Sequence, residues 1–306
     1  METLIKYVAG LLVAKYGLDF VLFFMRMIKL YLLPNLGLGL KLKKYGSWAV
    51  VTGATDGIGK AIAKQLAKRG INLVLISRSE EKLKATAQEI GRKVDVKTIS
   101  YDFSNPEDYS KIETELRNLD IGLLVNNVGM GYDHPDFYLH YGEQYFDKMI
   151  DINVTSVLKM TRIVLDGMVQ RKKGLLVHVS SASSLMPIPF LSGYSASKSF
   201  VNNFGESLHY EYMAKGIKSQ VVFPYFVATK MSKMRSNGFL VPSADQYACQ
   251  MVNAICLTPT MAGYWAHELF LAVSTLLPRW LVIGQTRKMM DATRRRWEKK
   301  QQAKKD

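Results

Sequence analysis

The chain has 306 residues, 48% hydrophobic and 22% charged, which is enough for one large domain or two small ones with a sizeable core. That balance excludes global disorder and a collagen-like repeat, and two cysteines exclude a disulfide scaffold. The net charge of +15 sits mainly at the ends, +5 over residues 1–46 and +6 over 285–306. This excludes the basic stripe of a nucleic-acid-binding domain and suits contact with anionic lipid headgroups.

Residues 4–33 are strongly apolar but interrupted by Lys6, Lys15, Asp19, Arg26 and Lys29. Those charges, with no small-residue cleavage site, argue against a secretory signal. Positions 15, 19, 22, 26 and 29 share one helical face and four of them are charged. The stretch is therefore expected to anchor the chain in a membrane, either by spanning it or by lying in its interface. Pro34, Gly37 and Gly39 end the helix, and Lys41, Lys43 and Lys44 form a basic collar that the positive-inside rule places in the cytosol. Residues 1–40 are predicted to be the anchor.

From Trp48 the pattern alternates. Short apolar strands are predicted over 48–52, 71–76, 96–101, 121–125, 175–180 and 219–223. Helices are predicted over 58–69, 80–90, 107–118, 143–170 and 194–214. Strands alternating with helices of this length imply right-handed crossovers and a parallel sheet, so 47–260 is predicted to be one doubly wound α/β domain of Rossmann type. Residues 261–306 are expected to combine an apolar segment, 265–284, with a charged tail. The apolar segment either covers a lipophilic pocket, rests on a bilayer, or packs as an ordinary helix. Cys249 and Cys256 are expected to be two buried, reduced thiols on one helical face. His134, His140, His178, His209 and His267 show no H-x-x-x-H or H-E-x-x-H spacing, so no metal is expected.

Four segments carry chemistry. Thr52-Gly53-Ala54-Thr55-Asp56-Gly57-Ile58-Gly59 follows a strand and opens a helix, where glycines admit a pyrophosphate to the helix N-terminus. A plain tight turn needs glycine too. Arg78 ends the second strand where an NAD site would carry an acid. A guanidinium there pairs with a 2′-phosphate, so NADPH is the expected cofactor, with Thr55 adding a hydroxyl. Asp102 ends the third strand, placed either to accept from an adenine amino group or to cap a turn. Asn126-Asn127-Val128-Gly129 follows the fourth strand, where amides tie strand ends and glycine permits close approach to a cofactor.

The fourth segment is Tyr194-Ser-Ala-Ser-Lys198, with Ser181 upstream. Tyrosine and lysine four apart share a helical face. A neighbouring ammonium is expected to lower a phenol pKa from about 10, and a serine hydroxyl to hold a carbonyl oxygen.

In this order the motifs resemble the short-chain dehydrogenases/reductases over about 47–260: T-G-x-x-x-G-x-G, N-N-A-G with Val128 for alanine, and the Ser181, Tyr194 and Lys198 triad. The resemblance implies that Asn153 supports a proton-relay water. It also implies that Thr229, in a P-G-x-x-x-T motif with Tyr225 for glycine, meets the nicotinamide end, and that the protein is a homodimer. The predicted catalytic set is thus Asn153, Ser181, Tyr194 and Lys198. The predicted cofactor set is Gly53, Thr55, Asp56, Gly57, Ile58, Gly59, Arg78, Asp102, Asn126, Tyr194, Lys198 and Thr229. WAVVTGATDGIGKA, LVLISRS, IGLLVNNVGM and PYFVATKMSK are similar to the 17β-hydroxysteroid dehydrogenases of types 3 and 12, which include very-long-chain 3-oxoacyl-CoA reductases of the endoplasmic reticulum.

The resemblance implies NADPH-dependent reduction of a lipid ketone, a 3-oxoacyl-CoA or a steroid, at the endoplasmic reticulum membrane with the domain in the cytosol. The alternative is a non-catalytic membrane scaffold, which some hydroxysteroid-dehydrogenase-like relatives are thought to be after losing the tyrosine. Tyr194 is retained here.

Overall fold

A computed structural model describes residues 1–105 and 108–304. Seven parallel strands form one sheet in the order β3-β2-β1-β4-β5-β6-β7. They are β1 (Trp48–Thr52), β2 (Asn72–Ser77), β3 (Val96–Ser100), β4 (Ile121–Asn126), β5 (Gly174–Val179), β6 (Ile217–Val222) and β7 (Thr260–Met261). The central strands are apolar on both faces because helices cover both. On one side α2 (Gly57–Lys68), α3 (Glu80–Ile90) and α8 (Ala244–Asn253) pack on Val51, Leu75 and Val125. On the other, α4 (Ser110–Leu116), α6 (Ser156–Gln170) and α7 (Ser192–Tyr212) pack on Val50, Leu124 and Leu176. The strand order reverses between β1 and β4, which opens a crevice at their carboxyl ends where doubly wound sheets bind ligands.

The predicted helix over 107–118 starts at Ser110 among the described residues. Asp108 takes the Ser110 N–H at 2.7 Å and so ends the preceding loop, while residue 107 lies outside the described set. The predicted helix over 143–170 is α5 (Glu143–Ile150) and α6 joined by a π-helical turn, Asp151–Thr155. β7 was not predicted; two residues carry too little pattern to register.

The N-terminal helix α1 (Glu2–Met27) buries none of its residues, and the helical run Glu2–Leu36 is long and apolar enough to cross a bilayer. Exposed Leu4, Leu11, Phe20, Phe24 and Met25 form a patch that water would penalise and lipid would not. Its base is fixed to the domain. Arg26 donates to Glu268 Oε1 at 2.7 Å and to the Thr260 carbonyl at 2.6 Å, and Tyr31 donates to Glu268 Oε2 at 3.0 Å. Glu268 is 3% exposed and also accepts from the Ala262 N–H, so its charge is fully partnered. Arg26, expected on the charged face of an anchor helix, docks that helix onto the domain.

One further expectation, two buried thiols on one helical face, is corrected. Cys256 is buried but Cys249 is exposed, because α8 ends at Asn253 and Cys256 lies past it in a left-handed turn, φ 52°, off any shared face. The tail beyond the short α9 (Trp265–Leu276) is a second helix, α10 (Arg279–Gln302), held by Arg294 between Asp291 and Glu298 and by stacking of Trp297 on His134. Lys305 and Asp306 of the basic C-terminus lie outside the described residues.

Candidate active site

The glycine turn after β1 is built as its sequence requires. Gly53 and Gly57 have φ of 65° and 52°, where only glycine is unstrained. A Cβ at Gly59 would collide with Asn127 Nδ2 and the Gly53 carbonyl, so the third glycine lets α2 close on the strand ends. Asp56 caps α2, accepting from the Gly57 N–H at 2.8 Å, and pairs with Lys230 at 2.9 Å. Ile58 packs its side chain on the core, and the N–H groups of Ile58 and Gly59, in the first turn, have no intrahelical partner. Thr55 and Ser77 hydroxyls meet at 2.9 Å beside Arg78. Arg78 is exposed, and among the described residues no acceptor holds its guanidinium. A cradle of bare backbone, a helix N-terminus and an uncommitted cation with no acid beside it suit a phosphorylated dinucleotide.

Three predicted cofactor residues are placed differently from one another. Asp102 accepts from Ser104 N–H and hydroxyl at 3.0 and 2.8 Å, which is the turn-capping alternative. The side chain of Asn126 points away from the crevice. It donates to Thr161 on α6 at 3.1 Å and to His178 on β5 at 3.2 Å, where burial holds His178 down at about 4. The strand-tying amide is Asn127, whose Nδ2 donates to the Thr52 carbonyl at 2.9 Å and whose backbone N–H donates to Thr52 Oγ1 at 3.0 Å. Thr229 lies across from Gly57, where a Cβ would stand 3.2 Å from its methyl.

The residues of the predicted catalytic set come together from three elements. Asn153 sits on the π-helical turn, fully buried, and its amide bridges Met130 and Ser197. Oδ1 accepts from the Met130 N–H at 2.7 Å, and Nδ2 donates to the Met130 carbonyl and the Ser197 hydroxyl, each at 2.9 Å. Turns of this kind gather at functional sites because they free backbone groups inside a helix. Ser181 follows β5, and its oxygen accepts from Ser183 N–H and hydroxyl at 3.1 and 2.9 Å. Lys198 is buried, and Nζ donates to the Val179 carbonyl at 3.0 Å. Gly129 leaves room here, since a Cβ on it would lie 3.3 Å from Lys198 Nζ and 3.5 Å from Asn153 Oδ1. Gly131 does the same for Tyr194, whose Cε2 would be 3.8 Å from a Cβ there.

The electrostatics differ from expectation. Burial pushes the Tyr194 phenol above 10, and the facing Ser181 hydroxyl only partly offsets it. Burial also brings the Lys198 ammonium down to about 8, still largely cationic at neutral pH. The Lys198 ammonium is held at the Val179 carbonyl, a neutral acceptor that leaves its charge in place. The arrangement holds a protonated phenol beside a cation, in a crevice next to a dinucleotide cradle: the equipment for giving a proton to a carbonyl oxygen.

Folding also assembles a group that the sequence reading passed over. Asp136 Oδ2 lies 3.1 Å from His134 Nε2 and 3.4 Å from His140 Nδ1. The spacing H-x-D-x-x-x-H was the available signal.

Residues 47–238 match the family described as short chain dehydrogenase. The chain is 45% identical over 261 residues to a very-long-chain 3-oxoacyl-CoA reductase of Rattus norvegicus, covering 84% of each. It is 44% identical over 263 residues to hydroxysteroid dehydrogenase-like protein 1 of Gallus gallus, covering 83% of this chain and 80% of that one. A short-chain dehydrogenase from Sphingobium yanoikuyae in complex with NADPH superposes with a TM-score of 0.61 at 27% identity, over 67% of this chain and 82% of that one.

Proposed function

This chain belongs to the short-chain dehydrogenase family and is an oxidoreductase using a nicotinamide cofactor, and on that premise we propose that it reduces the 3-keto group of a long-chain 3-oxoacyl-CoA with NADPH. The observation that carries this reading is the convergence of Ser181, Tyr194, Lys198 and Asn153 beside the glycine cradle, in a chain 45% identical to a reductase of that name.

NADPH supplies the hydride when bound. Ser181 orients the carbonyl oxygen through its hydroxyl, and Tyr194 donates its phenolic proton to that oxygen as negative charge develops there. Lys198, cationic below about pH 8, stabilises the phenolate left behind. Asn153 fixes the Met130 backbone and, through Ser197, the register of α7 that presents both Tyr194 and Lys198. Gly53, Gly57, Ile58 and Gly59 would hold the cofactor's pyrophosphate through backbone, and Arg78 with Thr55 would hold its 2′-phosphate. Thr229 borders the nicotinamide end. Asp102 and Asn126 contribute at most through backbone position.

The helical run Glu2–Leu36 supports a membrane anchor over residues 1–40, Lys41, Lys43 and Lys44 behind it support a cytosolic domain, and the endoplasmic reticulum is proposed as the membrane on the family resemblance alone. The division into anchor, 47–260 domain and 261–306 segment is part of the same proposal. Exposed Ile150, Leu158 and Phe200 on α5, α6 and α7 support a homodimer.

The test is a competition. Membranes carrying the full chain, given NADPH with a long-chain 3-oxoacyl-CoA and a 17-ketosteroid together, are expected to consume the thioester first. Turnover of the steroid with the thioester untouched would contradict the proposal.

A further inference from the structure

One cavity adjoins the crevice, shares Gly57 and Thr229 with its edge, and extends away from it along a basic wall. Its volume is about 630 Å³, and it opens between α2 and the segment 228–236. Arg78, Tyr194 and Lys198 do not line it. Lys60, Lys64, Lys230, Lys233 and Arg235 do, against two carboxylates, Asp56 and Asp245.

These cations are not equivalent. Lys60 and Lys64 share Glu89, each at 2.6 Å, and Lys230 is paired with Asp56. Lys233 donates to the Asp133 carbonyl at 3.0 Å, a neutral acceptor, and Arg235 has no acidic partner among the described residues. Two cationic heads therefore keep uncompensated charge at the cavity wall. The same segment reaches the catalytic centre. Met231 Sδ and Tyr194 Cε2 both border the space over Gly131, where a Cβ would stand 3.9 and 3.8 Å from them. The strand of chain that touches the reacting pocket with Met231 thus turns its basic residues outward two and four positions later.

We propose that this cavity is a phosphate-binding subsite that takes the nucleotide end of a coenzyme A thioester, with Lys233 and Arg235 as its specificity-determining cations. The inference rests on the acyl-CoA reading above and deepens it. A 3-oxoacyl-CoA carries its keto carbon close to the thioester sulfur. Once that carbon is at Tyr194, the pantetheine arm carries the polyanionic nucleotide end away from the reacting centre, and cations along its path stabilise it. A ketosteroid has no group for such a site, so the subsite separates the two substrate classes. The cofactor is the other source of phosphate in the crevice, and the experiment separates it from the thioester.

Purified full-length protein in detergent is assayed with one 3-oxoacyl chain presented as its CoA thioester and as its N-acetylcysteamine thioester, which lacks phosphates. For K233E/R235E the KM of the CoA thioester is expected to rise roughly 10-fold or more. The KM of the truncated thioester and that of NADPH should stay within about twofold, and K233R/R235K should restore the wild-type value. A KM rise for NADPH instead would assign the cavity to the cofactor. An equal rise for both thioesters would make the effect structural, and no rise would remove the subsite; each of these overturns the proposal. In the wild type, raising ionic strength should weaken the CoA thioester selectively, a readout independent of whether the double variant folds. A wild type that reduces neither thioester defeats the acyl-thioester reading and this inference with it. A wild type that reduces both with equal KM defeats the inference alone.

Discussion

Tyr194→Phe is expected to lower turnover by about 10²- to 10⁴-fold, the usual contribution of a positioned general acid, with cofactor affinity nearly unchanged. The substitution removes one hydroxyl and almost no volume. Tyr194 lies on α7 with its ring edge over Gly131, contacts that phenylalanine keeps. The cofactor cradle of Gly53, Gly57 and Gly59 is on a different element and is untouched. Burial raises the tyrosine, so at neutral pH it stands protonated, as the donor in a reduction must. Without it, the developing alkoxide has Ser181 to orient it but no acid to neutralise it. Steady-state kinetics and NADPH fluorescence titration read the two quantities separately. A variant as active as wild type would remove Tyr194 from the mechanism.

The second large effect concerns Arg78. Arg78→Asp is expected to weaken NADPH roughly 10- to 150-fold, from loss of one charge-assisted contact, and to improve NADH relative to it. Its guanidinium is exposed and free of acceptors among the described residues, so the substitution breaks no internal contact and should leave stability unchanged. An acid at this strand end faces the ribose 2′-hydroxyl of NADH and repels a 2′-phosphate. Measured cofactor KM values give the comparison. Equal use of both cofactors by the wild type would contradict the assignment.

Much of this site was legible because its signals are local. The run from Trp48 to Gly59 declares a strand, a turn and a helix within twelve residues, and the structure places β1, the positive-φ glycines and α2 there. Alternating strands and helices leave few topologies once crossovers are right-handed, which is why a parallel, doubly wound sheet followed from pattern. Tyr194 and Lys198 share a helical face by spacing alone.

The rest depends on contacts that sequence distance conceals. Arg26 and Glu268 are 242 positions apart, and nothing near either one marks the other as its partner. The same holds for His134 and Trp297, whose stacking fastens α10 onto the loop over the crevice. Asn126 and Asn127 are chemically identical neighbours. The alternation of a strand sends one amide into the sheet–helix interface and the next to the crevice, and the reading chose the first. The upward direction of the Tyr194 pKa was not legible, because a four-residue spacing shows proximity to Lys198 but not the burial of the phenol that raises it.

Deuterium at C4 of the nicotinamide follows the hydride from cofactor to ketone. Purified protein, NADPH deuterated at C4 in each of its two configurations, and a long-chain 3-oxoacyl-CoA are combined, and the product is read by mass spectrometry. One of the two labelled cofactors is expected to deliver a single deuterium to C3 of a 3-hydroxyacyl-CoA, and Tyr194→Phe to slow its appearance without changing which cofactor delivers it. A product reduced without label from either cofactor, or a chain that binds NADPH and leaves the ketone intact, would contradict the account.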